Sequence, residues 1–285
     1  MTLTGKAKLA GIIGWPVSHS LSPLLHGHWL EKYGIDGAMV PLAAGREDFA
    51  AVIEGVRRAG FQGVNVTVPH KEAAFAIAHR VDSAAQAAGA ANLLIFRDGK
   101  IEGRNTDSLG LAESLRETIG SLNGKTVVLL GAGGAARGAI LALEMLGAGT
   151  IHLLNRDAHR AITLASSLAP HVKAPVTPAG LDSWSKVAGD AALLVNSTSA
   201  GMSGNPPLTL DLSALPKSAA VCDIVYNPLE TQLLKDAAAR GHRTIDGLGM
   251  LMHQAAPSFE AFFGMKPEVT PGLRAALVKV LRERQ

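Results

Sequence analysis

Lys71 and Asp107 are the two residues of this 285-residue chain that type and setting best suit to share a proton. Lys71 closes the run Asn65-Val66-Thr67-Val68-Pro69-His70-Lys71, an apolar/polar alternation that stops at a proline and gives way to a helix-like stretch. Alternation of period two reads as a strand, and Pro69 bars the ladder from continuing. Asp107 closes Gly103-Arg104-Asn105-Thr106-Asp107, which also ends an extended segment and precedes an amphipathic helix. Both therefore fall where a strand hands over to a helix, the edge at which α/β sheets bind ligands. An ammonium and a carboxylate presented there could act as an acid–base pair on a small substrate. Taken alone, Lys71 reads as a solvent-facing lysine at a helix start; its polar company is what points to chemistry.

A second constellation is built to hold phosphate. Gly131-Ala132-Gly133-Gly134-Ala135-Ala136 follows the apolar run Thr126–Leu130 and opens a helix. Gly131 allows the tight turn, Gly133 lets a pyrophosphate approach the backbone, and Ala136 stands where a third small residue packs helix on strand. The helix N-terminus then offers unpaired N–H groups, with those of Ala132, Gly134 and Ala135 in reach. About twenty residues on, where NAD enzymes carry an acidic ribose ligand, the next strand ends in Asn155-Arg156-Asp157, with Arg160 one turn later. Arg156 and Arg160 could clamp a 2′-phosphate, since guanidinium pairs bidentately with phosphate. Asp157 reads either as a charge opposing that phosphate or as the N-cap of the next helix. The cofactor expected is NADP(H).

The elements that must position these residues alternate along the chain. Strands are expected at Leu9–Gly14, Gly37–Leu42, Gly63–Val68, Thr126–Leu130, Thr150–Leu154, Leu193–Val195, Val221–Val225 and Arg243–Ile245. Helices are expected from Ser22 (as N-cap, with Pro23 first in the helix) to about Tyr33, and at Glu47–Ala59, His70–Ala78, Ser108–Ile119 and Ala135–Leu146. Asn92–Phe96 and Lys100–Arg104 flank Arg97-Asp98-Gly99, a hairpin signal. Met250–Phe263 and Pro271–Arg284 read as two terminal helices. The fold class expected is α/β in two domains. One is a mostly parallel α/β/α substrate domain, 1–107, completed by helices within 246–285; the other is a Rossmann dinucleotide-binding domain, 108–245.

Composition narrows the class further. The chain is 47% hydrophobic and 18% charged, which fits a folded α/β enzyme and argues against disorder. A net charge of +3, with no dense basic run, leaves no nucleic-acid footprint but suits a small anionic ligand. Lys6–Val17 faintly imitates a signal peptide, yet it is short, contains Trp15-Pro16 and lacks a small-residue cleavage site; it reads as the first buried strand. No run approaches a membrane span. Cys222 is the single cysteine, which suits a reducing cytoplasm. His26 and His28 face different sides of a helix with no carboxylate at ligand spacing, so no metal is expected. His19 reads as structural, and His70 as a conceivable proton relay beside Lys71.

Together these islands resemble the shikimate dehydrogenase family over nearly the whole chain. Gly14-Trp15-Pro16-Val17-Ser18-His19-Ser20-Leu21-Ser22-Pro23 is similar to that family's substrate loop, and Asn65–Lys71, Gly103–Asp107 and Gly131–Ala136 to its next three motifs. Asn196–Met202, Asp223–Pro228 and Gly247-Leu248-Gly249-Met250 with Gln254 follow in order. Two departures stand out: Leu93 where the family has threonine after Asn92, and Asp157 where it has a neutral residue. The resemblance implies reversible reduction of 3-dehydroshikimate to shikimate by a monomer or homodimer acting without nucleic acid or membrane. A related branch that also takes quinate or NAD, and a silent nucleotide-binding paralogue, are the alternatives. It assigns Lys71 as the acid, held by Asp107, and Ser20 and Ser22 to the substrate carboxylate. Asn65, Thr67, Asn92 and Gln254 would meet ring hydroxyls; Asn65 could instead pair backbone at the strand end. Tyr226 would lie near substrate and nicotinamide, with Ile224 and Met250 packing on the ring and Gly247 in the same motif. Met250 reads almost equally as core. Thr198 would touch the cofactor or simply form a turn.

Overall fold

Strand-like runs in the first hundred residues become one six-stranded sheet in the computed structural model, which describes residues 3–283. The elements in order are β1 (Lys8–Gly14), α1 (Ser22–Lys32), β2 (Gly37–Ala43), α2 (Phe49–Arg58), β3 (Gly63–Val66), α3 (Lys71–Ile77), β4 (Arg80–Val81), α4 (Ser83–Ala88), β5 (Leu93–Arg97) and β6 (Lys100–Arg104). The strand order is β2-β1-β3-β5-β6-β4. β1 pairs in parallel with β2 and β3, while β5 runs antiparallel to both β3 and β6. The hairpin turns at Asp98 and Gly99, both with positive φ (50° and 72°), the conformation that Asp-Gly supplies at least cost. One face buries Ile13, Val64, Val66 and Leu94 under Phe49, Ile53 and Ala74.

Three local expectations change. Ser22 is not the N-cap of α1: Leu21 holds that position without a side-chain bond, and Ser22 is the first helical residue, itself buried. The capping-like contact moves back to Ser20, whose hydroxyl oxygen accepts from the Ser22 N–H at 3.2 Å. β3 ends at Val66 rather than Val68, because the Thr67 carbonyl is taken by the His70 N–H (3.0 Å) and the chain turns. β4 and α4 are additions. α4 is capped by the Asp82 carboxylate, which accepts from Ala85 N at 2.7 Å, and closed by Gly89 at φ 57°.

From Asp107 onward the elements are α5 (Asp107–Ile119), β7 (Thr126–Leu130), α6 (Gly134–Met145), β8 (Thr150–Asn155), α7 (Ala158–Leu168), β9 (Val176–Gly180), α8 (Trp184–Val187), β10 (Ala191–Asn196), β11 (Ala220–Asp223), α9 (Gln232–Ala239), β12 (Arg243–Ile245), α10 (Gly247–Phe263) and α11 (Pro271–Glu283). The sheet order β12-β11-β10-β7-β8-β9 is parallel throughout, the doubly wound arrangement whose order reverses between β7 and β10. Apolar side chains leave both faces of β7: Val127 and Leu129 enter one core, Val128 and Leu130 the other. That two-sided burial explains why this strand reads as a continuous apolar run. β11 stops at Asp223 rather than Val225, since the Val225 N–H turns onto the Asp223 carboxylate (3.1 Å).

Contacts divide the chain into two compact units. The first runs to Thr106 and takes in Gln254–Leu277; the second is Asp107–His253 with the chain from Val278 onward. No helix among the described residues is long and apolar enough to cross a membrane.

Candidate active site

In the first unit, Lys71 is the first residue of α3 and half-buried. The residue before it is fixed firmly. His70 is buried, its Nε2 lies 2.9 Å from the Ala44 carbonyl, and its ring stacks on Phe49 with centroids 4.7 Å apart. His70 thus anchors the start of α3. The Ala91 N–H donates to the Lys71 carbonyl at 2.9 Å, which joins this helix start to the segment entering β5.

Asn92, buried beside that segment, organises a neutral polar cluster. Its Oδ1 accepts from the Thr106 N–H at 2.8 Å, and its Nδ2 donates to Thr106 Oγ1 at 2.9 Å and faces Gln254 Oε1 at 3.4 Å. Thr106 Oγ1 also donates to the Gln254 carbonyl at 2.9 Å. Leu93, where the family has threonine, is fully buried. Sequence reasoning did not single out Thr106; its place between Asn105 and Asp107 was the available signal. Asn105 holds the same segment from the other side through the Ala90 carbonyl (2.9 Å).

The serine loop and β3 complete this unit's polar edge. A side chain at Gly14 would collide with the methyl group of Thr67, so the loop from Gly14 lies directly against the end of β3. Because Ser20 Oγ accepts from the Ser22 N–H, its own proton is left to donate elsewhere. Asn65 is buried, with Nδ2 3.5 Å from His26 Nε2 and Oδ1 unpartnered. His26 sits among Trp29, Phe259, Phe262 and Phe263, where burial pulls its pKa down to about 3 and keeps the ring neutral.

In the second unit, Asp107 is the first residue of α5 and follows Thr106 directly. The Cβ of Asp107 lies 3.5 Å from where a side chain would start at Gly138, so α6 packs closely on the start of α5. The glycine turn lies between β7 and α6. Gly131 has φ 107°, and a Cβ there would sit 2.9 Å from Ser197 Oγ and 3.0 Å from Thr198 Cγ2; both sterics and dihedral require glycine. At Gly133 and Gly134 a Cβ would meet no protein atom within 4 Å. Packing does not ask for glycine there, and the backbone is left open on that side. Ala136 is fully buried in the core, as the third small position should be. Ala132 packs against the same core, and Ala135 follows Gly134 in the first turn.

Asn155 ends β8 and donates to the Asp157 carbonyl at 2.9 Å. Asp157 is the N-cap of α7: its carboxylate accepts from the His159 N–H at 3.0 Å. The capping reading is thus realised, and a capping carboxylate keeps its charge. Arg156 and Arg160 are exposed on either side of it. Thr198 forms a turn, donating to Asn196 Oδ1 (2.7 Å) and accepting from Ala200 N (3.1 Å). Ile224 and Met250 rest half-buried on the core of this unit. Gly247 has a packing reason of its own, since any side chain there would strike the Ile224 and Val225 backbone. Tyr226, half-buried, follows Val225 in the same loop. Among the described residues, no three His, Cys, Asp or Glu side chains are grouped to hold a metal ion.

Three family profiles match this chain: a shikimate dehydrogenase substrate-binding domain over residues 12–94, a shikimate/quinate 5-dehydrogenase over 112–203, and a shikimate 5′-dehydrogenase C-terminal domain over 247–277. The shikimate dehydrogenase (NADP(+)) of Paramagnetospirillum magneticum is 50% identical over 276 residues, 96% of this chain and 99% of that protein. The chain belongs to the shikimate dehydrogenase family. Within it, the structure of shikimate 5-dehydrogenase from Thermus thermophilus in complex with NADP(H) and shikimate is similar with a TM-score of 0.83 and 33% identity, covering 98% of this chain and 100% of that one. Quinate dehydrogenase from Corynebacterium glutamicum in complex with NAD is similar with a TM-score of 0.88 and 30% identity, covering 96% and 99%. Backbone likeness within the family therefore does not separate shikimate from quinate, or NADP from NAD; side chains must.

Proposed function

We propose that this protein catalyses the reversible NADPH-dependent reduction of 3-dehydroshikimate to shikimate, a step towards aromatic amino acids. The observation that carries the reading is the polar edge of the first unit. Lys71 starts a helix beside a neutral Asn92–Thr106–Gln254 cluster whose next residue in the chain is Asp107. NADP(H), when bound, supplies or accepts the hydride; the protein orients the ring and manages one proton. Lys71 donates that proton to the developing alkoxide and polarises the carbonyl, with Asp107 holding the ammonium and accepting from a substrate hydroxyl. Ser20 donates its uncommitted proton to the substrate carboxylate, together with Ser22. Thr67, Asn65, Asn92 and Gln254 read the ring hydroxyls, and an analogue lacking them would leave buried polar groups unmatched.

In this reading the region 1–107, with helices from 246–285, serves the substrate, and 108–245 serves the cofactor. The backbone from Gly131 to Ala135 receives the pyrophosphate. Asn155, Arg156 and Arg160 bind the adenosine 2′-phosphate, which suits two exposed guanidinium groups despite the Asp157 charge between them. Thr198, Ile224, Gly247 and Met250 border the nicotinamide, and Tyr226 lies near both substrate and nicotinamide. A single buried cysteine suits a cytoplasmic protein, acting as a monomer or homodimer. Initial rates with shikimate or quinate, each paired with NADP⁺ or NAD⁺, test the reading. Turnover confined to shikimate with NADP⁺ is expected. Comparable rates with quinate or NAD⁺ would move the protein to the broader-specificity branch, and no turnover in any pairing by folded protein would refute the activity.

A further inference from the structure

Asn196 and Asp223 end adjacent strands β10 and β11, are partners in register, and are wholly buried. Asp223 Oδ1 accepts from Asn196 Nδ2 at 3.0 Å and from the Val225 N–H at 3.1 Å; its Oδ2 accepts from the Thr231 hydroxyl at 2.7 Å. Asn196 carries the connection onward, its Oδ1 accepting from both the N–H (3.1 Å) and the hydroxyl (2.7 Å) of Thr198. One carboxylate thus ties three segments together: the turn after β10, the loop that leads to Tyr226, and the start of α9. The first of these turns abuts the glycine turn, since Ser197 and Thr198 fill the space a side chain at Gly131 would need. Ser197 reinforces the contact by donating to the Leu130 carbonyl at 2.6 Å.

Burial disfavours the Asp223 charge and pushes its pKa up despite the three donors. Apolar side chains would fill the same place without that penalty. What they could not supply is two acceptor oxygens that hold both loops and the helix start in one arrangement.

We propose that Asp223 is a positioning residue for the nicotinamide cofactor, acting through Asn196 on Thr198 and through Val225 on the Tyr226 loop. This rests on the NADPH-dependent reading above. Asparagine at 223 keeps the two loop contacts without the charge: its oxygen can accept from Asn196 and Val225, and only the acceptor of the Thr231 hydroxyl is lost. Alanine removes the network altogether.

NADPH dissociation constants measured by nicotinamide fluorescence, with shikimate KM and thermal midpoints alongside, test the proposal. The wild type must first bind NADPH, and its failure to do so would defeat the functional reading rather than this one. Asp223→Ala should weaken NADPH by about tenfold, the scale of one lost hydrogen bond to a charged group, with a smaller rise in shikimate KM because Tyr226 also lies near the substrate. Asp223→Asn should restore NADPH affinity to within about twofold of wild type. Should the alanine variant not fold, Asn196→Ala decides, because it cuts the link to Thr198 and should weaken NADPH similarly. A folded Asp223→Ala or Asn196→Ala protein with unchanged NADPH affinity would overturn the proposal. So would an equal loss in Asp223→Asn, which would assign the effect to charge instead of position.

Discussion

Lowering the pH from 7 to 5 should destabilise this protein through one buried ring, that of His26. The imidazole is fully buried, and desolvation alone drags its pKa from 6.5 to about 3. Among the described residues no ion pair opposes the shift: Trp29, Phe259, Phe262 and Phe263 surround it, and the Asn65 amide lies 3.5 Å away. The folded state therefore refuses a proton that the unfolded chain accepts below pH 6.5. The stability this difference carries is complete above 6.5 and is lost as the pH falls towards 3. One pH unit corresponds to about 1.4 kcal/mol, so the step from pH 7 to 5 costs about 2 kcal/mol from this residue. That is a sizeable share of the roughly 5–15 kcal/mol that holds a typical domain folded.

His26→Leu isolates the effect, because leucine fills a similar volume and does not titrate. Leaving the Asn65 amide without its partner lowers stability by about 1–3 kcal/mol, but equally at both pH values. The assay is urea unfolding of both proteins at pH 7 and pH 5, followed by tryptophan fluorescence; the Trp29 ring lies 5.8 Å from that of His26. The wild type should lose about 2 kcal/mol more than the variant across that interval. Parallel losses in the two proteins would show that the ring takes up its proton in the folded state, and would refute the buried-neutral assignment.

Two further outcomes bear on the chemistry. Lys71→Ala should lower kcat by roughly 10²–10⁴ in steady-state assays while shikimate KM changes far less; a loss under about tenfold would remove Lys71 as the acid. Replacing both Arg156 and Arg160 by alanine should raise KM for NADP⁺ and leave KM for NAD⁺ nearly unchanged, with the wild-type NADP⁺ KM rising with salt and the variant's much less. An equal rise for both cofactors would place the two arginines away from the 2′-phosphate.

How much of this was visible in the residues depends on the length scale of the signal. β7 and α6 were legible because a five-residue apolar run, a glycine turn and a small residue packed on the strand all agree. The hairpin was legible because Asp98-Gly99 meets a dihedral requirement few other pairs satisfy. β4 and α4 were not, since two and six residues are too short for a hydrophobic period to show. Ser22 misled because serine before proline is a cap in most settings, whereas here the helix starts one residue earlier and Ser20 meets the Ser22 N–H. Thr106 and the Asn196–Asp223 pair were hidden for another reason. Their roles come from partners 14 and 27 residues away, and a side-chain bond across strands leaves no local pattern.

The two units solve one physical problem in the same way. A strand that ends inside a protein must hand its next N–H groups to some acceptor, because buried donors left unpaired are costly. In the first unit Asn92 receives the Thr106 N–H, one residue before Asp107; in the second, Asn196 receives the Thr198 N–H. An amide suits both places because it accepts and donates at once: Asn92 donates to Thr106 Oγ1, and Asn196 to Asp223. A carboxylate would accept from the turn but have no proton for the second partner, and an apolar residue would offer neither. Each asparagine thereby converts a flexible strand end into a fixed edge, and the residues assigned to the chemistry stand next to it in the chain. Where such an edge is rigid, a ligand need not order the turn on binding, and more of its interaction energy is left for orienting the reacting atoms.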